Sequence, residues 1–568
     1  MSSFTKKLAL WRLAVAIIYN RFMGFLSRLV PRRKMIINIE QGVLQGQYYK
    51  TRLSNKPFVS FLGIPYAEPP IDELRFKPPV KHPGWTGVYK AFSEKSKCVQ
   101  HDIMITKKIV GSEDCLYLNI FVPQELNEKK PVMMFVHGGA FNFGSGSSDF
   151  YSPDYLIEEN VILVTFNYRL NVLGFLNLDI DDCPGNVGLK DQLFAFKWVK
   201  ENISAFGGDA NNITIFGESA GSASVHYHIL SPLSKGVYQR AIMQSGCAFN
   251  PWAFNSKHKN AALKIAADLG CPSDDPHKIV QYLRKVPVQD LVKATTIKSK
   301  FEGQREVLVY QFVPTIESDL VGERFLPAHP EELSKTATSI PLISGVNNIE
   351  GMIVFGEHRF GKLMNFNKVE EISKLLESEI KCDEVKNRIQ SFYFNDYDSK
   401  TDIEKLENIC ALFSDVFFTK DFHKAFNYLL VKGNTPVYNY EFKFDGEINV
   451  CKRLLFATRP KFLKLKGACH ADELSYLFFG KLFAFTPKPN SKELSMCRTM
   501  CKLWTNFAKT GNPNSSDLKV KWDRTSLENP KYLSIDGDDT HMVDGQVNGA
   551  KVQFWDDLAE LVKLNQKL

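Results

Sequence analysis

Ser219 is the residue of this chain best placed to do chemistry. It sits in Gly217-Glu218-Ser219-Ala220-Gly221, directly behind Ile213-Thr214-Ile215-Phe216, whose β-branched and aromatic side chains are those of a buried strand. Small residues (Ala220, Ser222, Ala223) follow and suit a helix start. Glycines two residues before and after a serine let it occupy a sharp strand-to-helix turn with its hydroxyl exposed, the arrangement of a nucleophile elbow. A chance Gly-x-Ser-x-Gly loop is the bland alternative; the strand in front and the small-residue helix behind weigh against it. The chemistry would be acyl transfer. A serine hydroxyl is a poor nucleophile at neutral pH, so it needs a general base, an acid that orients that base, and N–H donors for the developing oxyanion.

Other elements must bring those groups to Ser219. Upstream, the apolar run Val132-Met133-Met134-Phe135-Val136 reads as a strand and leads into His137-Gly138-Gly139-Ala140-Phe141, close to the His-Gly-Gly-Gly loop whose backbone N–H groups face an oxyanion. Residues 206–221 and Glu113–Pro123 fit two signatures of the type-B carboxylesterase/cholinesterase family. The runs Gly63-Ile64-Pro65-Tyr66-Ala67, Leu74-Arg75-Phe76, Asn167-Tyr168-Arg169, Gly185-Asn186-Val187-Gly188-Leu189, Gln244-Ser245-Gly246 and Trp504 to Pro513 resemble it as well. Roughly residues 36–560 look like one such domain, most similar to those of insect α-esterases.

The resemblance implies an α/β-hydrolase fold, with Glu350 as the orienting acid and His470 as the general base. From the residues alone Glu350 could not be picked from the many carboxylates, and His470 is one of 12 histidines. It also implies an oxyanion hole built from the amides of Gly139, Ala140 and Ala220. Here the chain departs from the family, because its third glycine has become Ala140, whose methyl needs a compatible φ and takes space near the acyl group. The acyl-side wall maps onto Trp252, Leu308, Tyr310 and Val354, and the floor onto Ile353. Leu308 and Val354 are smaller than the aromatics that cholinesterases place there, and the stretch Cys98 to Cys115 has no Trp to hold choline by a cation–π contact. These differences point away from choline esters and toward uncharged, hydrophobic ones. Two pairs, Arg75 with Glu113 and Arg169 with Asp191, resemble ion pairs that the family keeps inside the domain. Cys98 and Cys115 match its first disulfide loop; two buried thiols in a reducing cytoplasm are the alternative.

Length and composition bound the rest. The chain has 568 residues, 44% of them hydrophobic, and no linker or internal repeat divides it, so one large α/β domain with insertions is expected. Alternating strands and helices around the elbow imply a mostly parallel sheet with helices on both faces, and the helical stretch 255–440 should supply large insertions that wall the substrate gorge. A net charge of +8 spread over 71 basic and 63 acidic residues carries no nucleic-acid motif. No zinc-type cysteine spacing, Walker loop or dinucleotide fingerprint appears, so no metal and no cofactor is expected. Cys497 and Cys501 share a helix face and read as packing.

Residues 1–35 read as a separate N-terminal segment, 36–560 as the esterase domain and 561–568 as a C-terminal tail. Within 8–30, Arg12, Arg21 and Arg28 interrupt the apolar residues, and Leu13–Tyr19 is too short to span a bilayer. Aromatic and aliphatic residues face one side and arginines the other, the pattern of a basic amphipathic helix lying in a membrane interface. An uncleaved secretory signal or a helix packed on the body are the alternatives. The expected protein is therefore an intracellular serine carboxylesterase, cytosolic or peripheral on the ER or a lipid droplet, with secretion as the other option. A slow, ester- or organophosphate-sequestering member is the nearest functional competitor. A non-catalytic adhesion homologue is disfavoured because Ser219, Glu350 and His470 are all present.

Overall fold

The computed structural model describes residues 32–103, 106–124, 128–297, 310–355, 383–431, 435–457, 459–482 and 486–567. The segment 8–30 and Leu308 lie outside them. One twisted sheet organises the chain. Its strands lie in the order Lys34–Ile39, Gly42–Lys50, Pro57–Pro65, Tyr117–Pro123, Ile162–Phe166, Lys130–Val136, Gly208–Glu218, Arg240–Gln244, Leu342–Asn347, Val437–Phe442, Lys531–Ile535 and His541–Asp544. From Ile162–Phe166 to Lys531–Ile535 every neighbour is parallel, and the pairings at both ends are antiparallel. This is the α/β-hydrolase fold.

The central strands Ile162–Phe166, Leu342–Asn347 and Val437–Phe442 are buried at every position because both faces of a parallel sheet are covered. Side chains alternate across the strand. Val132, Met134 and Val136 therefore enter one core, shared with Ala220 and Ala223 of the helix Ala220–Leu230. Met133 and Phe135 enter the other, with Trp504 and Phe507 of the helix Lys492–Thr510. Cys497 and Cys501 are buried in this second core. Among the described residues between 258 and 430 the helices His258–Asp268, Pro276–Lys285, Val288–Ile297, Asp383–Phe394, Asp402–Ser414 and Lys420–Leu430 flank the strand Leu342–Asn347.

The ordered body differs from the expected boundaries at both ends. The first strand starts at Lys34, inside the segment expected to be separate, and pairs along its length with Gly42–Lys50. The closing helix Gly549–Lys567 runs through residue 560, and Leu561 and Val562 pack against the main core. Residues 561–567 thus continue that helix instead of forming a tail, because its apolar face extends past the expected boundary.

Cys98 and Cys115 are joined in a disulfide. The Arg75 guanidinium meets Glu113 through two 2.6 Å hydrogen bonds, and Arg169 meets Asp191 through bonds of 2.8 and 2.6 Å. Among the described residues no helix is long and apolar enough to cross a membrane.

Candidate active site

The strand Gly208–Glu218 ends one residue before Ser219, and the helix Ala220–Leu230 begins one residue after it. Ser219 carries the turn at φ +59°, ψ −124°. A non-glycine residue held there costs on the order of 1–3 kcal/mol and persists only where its surroundings fix it. They do. Ser219 N donates to Gln244 O at 2.9 Å. A Cβ on Gly221 would lie 1.9 Å from Val136 O, and one on Gly246 2.3 Å from Ser219 O. Gly217 is equally confined, 2.5 Å from the carbonyl carbon of Gly221. Both glycines of the motif are therefore demanded by close backbone approach.

Parallel pairing of Gly217 with Val136 sets the following loop, His137 to Phe141, beside the elbow. A Cβ on Gly138 would stand 3.0 Å from Ser219 Cβ. The loop turns through three consecutive positive φ values: Gly139 at +111°, Ala140 at +52° and Phe141 at +60°. Alanine in that region costs roughly 1–2 kcal/mol, the penalty glycine avoids. Hydrogen bonds hold the loop against it. His137 Nδ1 bonds Gly138 O at 2.8 Å, Tyr168 Oη donates to His137 O at 2.9 Å, and Asn142 Nδ2 donates to Ala140 O at 2.6 Å. Burial holds His137 down to a pKa of about 4, so the ring is neutral and its Nδ1 carries the proton given to Gly138. Ala220, the first residue of its helix, presents its amide at a helix N-terminus, where N–H groups lack an intrahelical acceptor.

Glu350 and His470, the expected acid and base, arrive from two distant loops. Glu350 opens the turn Glu350–Phe355 just after the strand Leu342–Asn347. A bridge between Ile349 and Cys469 brings the His470 loop alongside. His470 Nδ1 lies 2.6 Å from Glu350 Oε2, and Glu350 Oε1 accepts from Asn347 N at 2.6 Å. Asn347 Nδ2 reaches Cys469 O at 2.7 Å and Glu473 Oε2 at 2.6 Å, so Asn347 holds Glu350 through its backbone N–H and the His470 loop through its side chain. Ser219 is partly exposed, whereas His470, Glu350 and Glu218 are buried.

His470 has a second carboxylate neighbour. Its Nε2 lies 3.0 Å from Glu218 Oε1. Burial alone would lower the imidazole's pKa, but Glu218 and Glu350 outweigh it and hold it well above the ordinary histidine value. General-base catalysis needs the neutral ring, so the acid limb of kcat/KM should fall at higher pH than for an isolated histidine. Glu218→Gln removes one of the two charges, and the acid limb should then move to lower pH. A pH–rate profile in which the limb stays in place would show that Glu218 does not act on His470.

The sequence model of the Carboxylesterase family matches residues 33–555. The chain belongs to the carboxylesterase family. This esterase is a carboxylic ester hydrolase by that membership, and its relatives agree. Juvenile hormone esterase of Tribolium castaneum is 34% identical over 522 residues, 88% of each chain. Esterase FE4 of Myzus persicae is 35% identical over 501 residues, covering 85% of this chain and 86% of that one. The crystal structure of juvenile hormone esterase from Manduca sexta with OTFP covalently attached superposes with a TM-score of 0.81 at 30% identity, covering 93% of the esterase and all of that chain.

Of the residues expected to line the pocket, Trp252 is buried, its Nε1 donating to Phe417 O at 2.8 Å. Tyr310 and Ile353 are partly buried against the main core, and Val354 is buried within it, on the same turn as Glu350. Sequence reasoning missed Phe418, whose ring centroid lies 4.5 Å from that of His470 and 5.9 Å from that of Trp252. No motif marks it, because it comes from a π-helical turn far along the chain. Glu218 and Glu473 were also passed over. Glu218 stands inside the Gly217–Gly221 motif and Glu473 three residues after His470, which was the available signal. Burial pushes Glu473 up to about 8, and Gln244 Nε2 donates to it at 3.1 Å.

Proposed function

We propose that the esterase works through an acyl-enzyme formed on Ser219. The observation that carries this reading is a partly exposed elbow serine whose chain neighbour Glu218 stands 3.0 Å from His470 Nε2, the other ring nitrogen being held 2.6 Å from Glu350. Ser219 Oγ attacks the ester carbonyl while His470 Nε2 takes the hydroxyl proton; Glu350 fixes the tautomer and stabilises the imidazolium. The amides of Gly139, Ala140 and Ala220 receive the developing oxyanion. The proton returns to the leaving alkoxide, alcohol departs, and water, deprotonated by His470, cleaves the acyl-enzyme to the free acid.

The acyl group would lie against Trp252 and Phe418, with Tyr310, Ile353 and Val354 completing the wall and floor. Apolar contact of that kind favours uncharged, hydrophobic esters of lipid-like or xenobiotic type at about 25 cal/mol per Å² buried. The Cys98–Cys115 loop holds no Trp for a choline cation. Stopped-flow kinetics should give a burst of about one 4-nitrophenolate per chain with 4-nitrophenyl octanoate, turnover beyond it, and little hydrolysis of butyrylcholine. A burst with no steady state would instead support the sequestering reading. For location, the Cys98–Cys115 disulfide favours an oxidising compartment, and hence the secreted alternative, over the cytosolic face of a membrane.

A further inference from the structure

Phe418 belongs to a turn that is irregular and doubly anchored. The helix Asp402–Ser414 passes through a π-helical turn, Asp415–Thr419, into the helix Lys420–Leu430. Single π turns lodge an extra residue in a helix and recur at functional sites. On its inner side this turn grips the active site at several points. The Phe418 ring packs on His470, and Phe417 O accepts from Trp252 Nε1. Phe418 O accepts from Asn250 Nδ2 at 3.1 Å. Ser414 Oγ, one residue before the turn, accepts from Gly351 N at 2.8 Å and so holds the turn that carries Glu350.

On its outer side the same turn is tied to the closing helix. Tyr393 Oη, on the helix Asp383–Phe394, donates to Asp415 Oδ2 at 2.6 Å. Trp555 Nε1, on the helix Gly549–Lys567, donates to Tyr393 Oη at 2.8 Å. Lys551 Nζ of that helix stands 3.9 Å from Asp415 Oδ2. Asp415, Tyr393 and Trp555 are all buried. A buried carboxylate adds little net stability over an apolar packing of the same volume, whereas its bonds fix one geometry. The bonded run Trp555–Tyr393–Asp415 therefore determines where the π turn sits against base and acyl wall.

We infer that Asp415 is a positioning residue for ester hydrolysis, setting the π turn so that Phe418 and Trp252 place His470 and the acyl chain. The inference rests on His470 being the base. Full-length Asp415→Leu, Asp415→Asn and Tyr393→Phe are compared on 4-nitrophenyl acetate and octanoate, with active sites counted by organophosphate titration. His470→Ala and Trp522→Phe are run beside them, Trp522 being buried in the second core with its Nε1 donating to Asn439 O at 3.0 Å. Asp415→Leu should lower kcat about tenfold on both esters, because small displacements of a catalytic group are costly. The ratio of kcat/KM between the two esters should shift, since the wall moves with the base. Tyr393→Phe, which keeps the ring, should shift the same ratio with its melting point close to wild type. Asp415→Asn keeps an oxygen for the Tyr393 hydroxyl and should recover most of the rate. Trp522→Phe should leave both rate and ratio unchanged. Rates and ratio within twofold of wild type in Tyr393→Phe, with all sites titrating, would overturn the proposal even if Asp415→Leu failed to fold. Undiminished turnover in His470→Ala would instead remove the reading on which it stands.

Discussion

Ser219→Ala should lower kcat by on the order of 10⁴–10⁶-fold, or about 5–8 kcal/mol of transition-state stabilisation. The elbow geometry would survive, because the backbone N–H of an alanine donates the same bond to Gln244 O and its side chain occupies less space than serine. The loss is therefore chemical. The variant should show no burst with 4-nitrophenyl octanoate and no covalent organophosphate adduct by intact mass. His470→Ala should cost a similar amount, and the double variant little more, since nucleophile and base act as a unit. Normal labelling of Ser219→Ala would place the nucleophile elsewhere. Additive losses in the double variant would mean that His470 serves something other than Ser219.

Asp191→Asn should be the most damaging single change to stability outside the site. The Asp191 side chain is fully buried and takes three hydrogen bonds from Arg169: Nε at 2.8 Å, Nη2 at 2.6 Å and the backbone N at 3.0 Å. Arg169 Nη1 is committed to Lys77 O at 2.7 Å, so the guanidinium cannot turn away. Replacing the carboxylate by an amide of the same shape strands that cation, at about 3–5 kcal/mol. In a chain of this length that is a fall of roughly 3–4 °C in Tm, because the entropy of melting grows with residue number. Glu113→Gln should cost less. Glu113 keeps 13% of its side chain exposed, and Arg75 retains carbonyl partners at Leu283, Arg284 and Val286. Calorimetric melts check both, and an unchanged midpoint for Asp191→Asn would show the pair to be solvated.

Whatever is local in this site was legible in the residues. The apolar run 213–216, the two glycines around Ser219 and the small helix start are forced by one turn, so they appear together within the eleven residues 213–223. The same holds for the glycine-bearing loop after Val136. Glu350 and His470 carry no such local demand. A carboxylate and an imidazole can sit on any surface, and only the resemblance to a family singled these two out. The role of Ala140 was half legible: the sequence announced a methyl where glycine is usual, and the fold added that it stands at φ +52°, pinned by its neighbours.

Ser219, its elbow and its neighbouring donor loop were thus determined by the sequence, because strand, turn and backbone approach are short-range constraints with few residue types that satisfy them. The tertiary structure alone decided that His470 lies between Glu350 and Glu218, that Phe418 packs on it, and that a π turn braced from Trp555 through Tyr393 and Asp415 stands behind that ring. These contacts join residues separated by 52 to 252 positions, or by 162 and 22 in the brace. No pattern of period two or 3.6 encodes such meetings; they follow from the order in which the parallel strands lie side by side and from what their loops then face.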